Sequence, residues 1–76
     1  MTWHTIESKL LSAAAYDTEH SMLYLRFRDT RDVYRYFEFP SELYTQMLAA
    51  ESRGRYFLIC IRNQFRYERL ARLRAA

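Results

Sequence analysis

Two alternating runs near the middle of the chain constrain its fold most. Residues 22–28, Met-Leu-Tyr-Leu-Arg-Phe-Arg, set Leu23, Leu25 and Phe27 on one side of an extended backbone and Tyr24, Arg26 and Arg28 on the other. The short polar gap Asp29-Thr30-Arg31 precedes a second such run, Asp32 to Phe39. Period-two alternation on both sides of a short gap predicts an antiparallel hairpin. A one-residue slip in its register would exchange every side chain between the two faces. With a loop of Asp29-Thr30, Leu25 faces Tyr34 and Leu23 faces Tyr36, so both tyrosines join the apolar face. With a bulged loop of Asp29-Thr30-Arg31, Phe27 faces Val33, Leu25 faces Arg35, and Tyr34 and Tyr36 sit beside Tyr24, Arg26 and Arg28.

Punctuation elsewhere is sparse, with Gly54 and Pro40 the only residues of their kinds. His4 to Ser8 reads as a short edge strand. Residues 10–16 read as a strand or a helix start, their alanines favouring helix, with a turn after them. Residues 40–50 predict a helix: Pro40 suits the first helical position, Glu42 the first turn, and Leu43, Met47 and Ala50 repeat at helical spacing. The apolar run from Arg55 to Phe65 fits a buried strand or a helix capped by Ser52, and periodicity does not separate them. Arg66 to Leu70 reads as a last short strand.

A chain of 76 residues is one domain with a small core. Half of it is apolar and 17% is aromatic, so some of the rings serve packing alone. The single cysteine, Cys60, permits no internal disulfide, and the N-terminus lacks an export signal, so a cytoplasmic protein is expected. No apolar run is long enough to cross a bilayer as a helix. His4 and His20 have no metal ligands at binding spacing, and no nucleophile, base and orienting acid form a set. No metal, cofactor, small-molecule substrate or enzymatic activity is therefore expected. Charge is skewed: residues 1–38 hold five bases and six acids, whereas residues 39–76 hold seven arginines and three acids. Arginine suits bidentate phosphate contacts and stacks on rings.

Three motifs recur in order. They are Tyr34-Arg35-Tyr36 followed by Pro40; Ser52-x-Gly54 leading to Phe57, Ile61 and Arg62; and Phe65 and Tyr67 before Arg69 and Leu70. Together they resemble the KTSC domain family, a short domain found alone in bacteria and at the C-terminal end of some lysyl-tRNA synthetases. The resemblance covers about residues 6–70. It implies an α+β fold, an antiparallel meander of three to four strands followed by two helices, and favours a helix over residues 52–63. The family's function is not established; RNA binding has been suggested for it. Leu58 departs from the pattern, since relatives usually carry asparagine there. Residues 71–76 extend past the family's usual end and read as a flexible basic tail after a single domain, residues 1–70.

The relatives' shorter turn aligns with the bulged register, which is therefore the expected one. It makes Val33 and Phe37 core residues and assembles Tyr24, Tyr34, Tyr36, Arg26 and Arg28 on one face. Such a face stacks single-stranded bases and holds phosphates. RNA is the expected partner, with Arg55, Arg62, Arg66 and Arg69 completing the surface. The alternative expectation is a protein partner or a homodimer formed through Leu58 and Ile59, which a helix would leave outside the Phe57–Ile61 stripe.

Overall fold

The computed structural model describes residues 1–70; the expected tail, residues 71–76, lies outside the described residues. Five strands, β1 (Trp3–Thr5), β2 (Leu11–Asp17), β3 (Met22–Phe27), β4 (Val33–Tyr36) and β5 (Tyr67–Leu70), form one antiparallel sheet in sequential order. Two helical segments lie between β4 and β5. The first is α1 (Ser41–Ala49); the second is α2 (Arg53–Tyr56), which continues as a π-helical turn over Phe57–Ile61. This is the expected α+β fold. The sheet reaches five strands because both short ends pair: Trp3–Thr5 with Ala13–Ala15, and Tyr67–Leu70 with Val33–Tyr36.

The hairpin adopts the other register. Leu25 pairs with Tyr34 and Leu23 with Tyr36, which removes Tyr34 and Tyr36 from the side of Tyr24 and Arg26. The turn accounts for this. The Arg31 N–H donates to the Phe27 carbonyl (2.9 Å), and the Phe27 N–H donates to the Asp32 carbonyl (3.0 Å). The loop is thus the four residues Arg28–Arg31, and Arg31 takes a left-handed conformation, φ 63°, to close it. An even loop gives the same parity as a two-residue one. Arg35 consequently faces Tyr24 rather than lying among leucines.

Residues 11–17 are strand, not helix, because they lie between two partners that demand extended chain. A bulge between Leu11 and Ala13 lets Leu11 and Ala14, three apart, reach the same face. Ala14 sits opposite Leu25 and is fully buried in the core. Ala15 points to the other face, where it pairs with Trp3 on one side and Tyr24 on the other. Its single methyl leaves room for those two rings to meet.

The core lies between the sheet and the helices. Leu11, Ala14, Leu23, Leu25 and Tyr36 supply the sheet side; Met47, Phe57 and Ile61 supply the helical side; Ile6 and Phe39 close the ends. Each fully buried aliphatic side chain here contributes about 1.5–3 kcal/mol. Pro40 precedes the first helical residue and caps α1 in extended conformation, one position earlier than expected. Ser52 caps α2 as expected, its Oγ accepting from the Arg55 N–H at 3.2 Å. Gly54 is buried against the β1–β2 connection; a Cβ there would stand 2.8 Å from Ser8 Oγ. Val33 is buried as expected, but on the face away from the helices, and Phe37 is half-buried on that same side rather than in the core. No helix among the described residues is long and apolar enough to cross a membrane.

Candidate functional site

Both faces of the sheet carry rings and arginines, for different reasons. On the face away from the helices, strand alternation aligns Trp3 of β1, Tyr24 and Arg26 of β3, Arg35 of β4 and Glu68 of β5. The Trp3 and Tyr24 rings meet edge to face at 6.3 Å above Ala15. The Arg26 guanidinium lies 5.3 Å from the Trp3 ring centre, and Trp3 keeps 36% of its surface exposed. Arg35 lies 5.4 Å from the centre of Phe37, and exposed Arg66 covers the same ring at 4.5 Å. The Tyr24 hydroxyl first, then Glu68, raise the pKa of Arg35, so it stays charged. Arg35 and Glu68 form an ion pair across β4 and β5, which leaves Arg26 and Arg66 as the ring-stacked arginines of this face with no ion pair among the described residues. The result is a band of rings and guanidinium groups across the sheet.

The helix side carries a concave site. Phe27 meets Tyr34 at 5.2 Å, Tyr34 meets Tyr67 at 5.6 Å, and Tyr67 meets Tyr36 at 5.8 Å. Tyr36 then meets Phe57 at 6.0 Å, and Phe57 returns to Phe27 at 5.3 Å. These five rings, in unbroken contact, line a cavity of about 390 Å³. Phe57 and Tyr36 are buried, Tyr36 to 3% exposure, and form its floor. Leu58, Arg62, Asn63 and Tyr67 form an exposed rim. Burial, and then the neighbouring Tyr34 and Tyr67, push the Tyr36 phenol well above the usual tyrosine range, so it stays neutral.

The residues expected to form one surface are therefore divided. Tyr24, Arg26 and Arg66 share the open face with Trp3 and Phe37. Tyr34, Tyr36 and Arg62 belong to the cup on the other face. Arg28 belongs to neither: its guanidinium donates to the carbonyls of Ser8 (2.7 Å), Ile6 (2.9 Å) and Leu11 (3.3 Å), clamping the β1–β2 connection. Arg69 pairs with Asp32 beside Tyr34. Arg55 is exposed on α2 and is not among the residues that line the cup. The π-helical turn leaves Leu58 at 48% and Ile59 at 63% exposure while burying Phe57 and Ile61.

The family model described as KTSC domain matches residues 7–65. The chain is a KTSC domain. A protein from Tsukamurella paurometabola is 39% identical over 61 residues, covering 80% of this KTSC domain and 90% of that relative. A lysine–tRNA ligase from Nostoc is 34% identical over 65 residues; the match covers 86% of this chain and 11% of the ligase. The fold matches the crystal structure of a KTSC domain protein from Yersinia pestis, with a TM-score of 0.87 at 24% identity, over 92% of this chain and 97% of that one.

Several members of the two surfaces escape sequence reasoning. Trp3 lies in a three-residue edge strand whose pairing partner only the fold reveals. Phe37 and Arg35 depend on the hairpin parity. Phe27, Tyr67 and Asn63 join the cup only through tertiary contacts. One sequence signal was available for Tyr67, its place in the closing aromatic motif.

Proposed function

We propose that this KTSC domain is a non-enzymatic, cytoplasmic module that binds single-stranded RNA on the sheet face away from its helices. The observation that carries the reading is the Trp3–Arg26 stack with Tyr24 at its edge, continued by Phe37 and Arg66. A sheet with helices on one side and rings on the other is a physical platform for unstacked bases, and interleaved arginines hold the phosphates. The net charge of +3 favours a polyanion. The Nostoc relative is named for a tRNA, which agrees with this reading.

The test is a salt-titrated binding measurement on mixed-sequence single-stranded RNA. Engagement of Arg26 and Arg66 releases about two counterions, so log affinity falls against log salt with a slope of about −1.4. Trp3→Ala keeps the fold and weakens binding by a base-stacking contribution of about 1–3 kcal/mol. Absence of binding at low salt, or affinity indifferent to salt, refutes the reading.

The exposure of Leu58 and Ile59 favours a second reading, self-association through the π-helical turn. Sedimentation of the wild type against Leu58→Asn tests it, a monomer in both cases ruling it out.

A further inference from the structure

We propose that the aromatic cup on the helix side binds a single nucleotide, its base among the rings and its phosphate on Arg62. The site lies on the opposite sheet face from the proposed RNA platform and does not rest on that reading. Four observations carry it. Five rings in successive contact line the cavity, and two of them, Tyr36 and Phe57, are buried, so a planar ring that enters it loses water from the face it lays against them. The volume of about 390 Å³ lies within the range of small-ligand pockets, roughly 300–1,000 Å³. Among the described residues that line the cup, Arg62 carries the only formal charge. The ligand that complements it is therefore an anion, for which a guanidinium offers paired donors.

The fourth observation is how Arg62 is held. The π-helical turn ends there, with the Arg62 N–H donating to the carbonyl of Phe57, five residues back, at 2.8 Å. The backbone that carries the charge is thereby bonded to the residue whose ring forms the cup floor. Asn63 follows in a left-handed conformation, φ 65°, and places an amide on the rim. An amide offers a donor and an acceptor together, as a base edge requires. The three tyrosines add hydroxyls around the ring. Tyr36 remains protonated because its phenol is buried, so it adds no negative charge to repel a phosphate.

The experiment is an NMR titration of the 76-residue protein, following the amides of residues 57–63 and the tyrosine ring signals. The probes are AMP, GMP, CMP and UMP, with adenosine and ribose 5-phosphate as partial ligands and tetramethylammonium as a cationic control. At least one mononucleotide is expected to shift the cup signals at millimolar concentration or below. Adenosine and ribose 5-phosphate are each expected to bind about tenfold more weakly, since each lacks one half of the recognition. Arg62→Gln abolishes the advantage of AMP over adenosine, and Tyr67→Ala weakens both. Both positions are exposed, and unchanged thermal melting checks that the fold survives. Trp3→Ala, on the other face, leaves mononucleotide binding unchanged. A short oligonucleotide with a terminal phosphate distinguishes the source of the nucleotide. Binding as tight as AMP indicates a strand end, and markedly weaker binding a free nucleotide; either supports the cup as a nucleotide site. No shift with any mononucleotide, binding indifferent to Arg62→Gln, or binding of tetramethylammonium in preference to AMP overturns the proposal.

Discussion

Replacing Arg28 by alanine separates a structural arginine from an RNA-contacting one. Its side chain makes three hydrogen bonds to the carbonyls of Ser8, Ile6 and Leu11. A charged donor on a neutral acceptor is worth about 1.5–3 kcal/mol when shielded. Here the bond to Ser8 is exposed and the other two are partly buried, and the freed carbonyls can turn to water. The sum is therefore discounted to a loss of about 2 kcal/mol. The loss is amplified by what the clamp holds, because Ile6 beneath it is fully buried in the core. For a domain of this size, 2 kcal/mol lowers the melting temperature by about 8–16 °C. Arg28→Lys retains one donor group and falls between the two. The assay is urea denaturation of the three proteins, with RNA affinity measured under folding conditions. A variant within about 0.5 kcal/mol of wild type refutes the clamp. A variant equally stable but deficient in RNA binding restores the role expected from sequence.

Two further outcomes follow from single residues. Tyr36 has a phenol raised above the usual value of 10.0 by burial. The unfolded chain loses that proton first, so stability is fully present below pH 10 and declines as pH rises beyond it, which denaturation midpoints from pH 8 to 11 check. A midpoint that rises across that interval contradicts the burial. Gly54→Ala gains about 1 kcal/mol of helix propensity but forces a Cβ to 2.8 Å from Ser8 Oγ, which also accepts from the N–H groups of Leu10 and Leu11. Crowding of this kind costs about 1–3 kcal/mol, so a net destabilisation is expected, partly relieved by Ser8→Gly. A more stable Gly54→Ala protein would show that the connection yields freely.

What could be read from residues alone was local. Alternation identified β3 and β4, and helical spacing and Pro40 identified α1, because each signal sits within a few residues of its effect; Ser52 fitted a cap but left strand and helix open after it, and the family resemblance favoured the helix. The three family motifs extended that reading to the α+β class, a meander of three to four strands followed by two helices. Strand or helix for residues 11–17 was not readable, because three alanines prefer helix in isolation and are extended here by pairing with β1 and β3 on both sides. The faces of Tyr34 and Tyr36 were not readable either. They depend on whether the turn is odd or even, and that depended on Arg31 accepting a left-handed backbone that a glycine would have advertised. The candidate surfaces were legible as composition, rings and arginines in excess, and not as places. Trp3 reached Arg26 because β1 pairs at the sheet edge, and Tyr67 reached Tyr34 and Tyr36 because β5 returns after both helices. Contacts between residues more than twenty positions apart carry no local signal, and only the tertiary structure decided them.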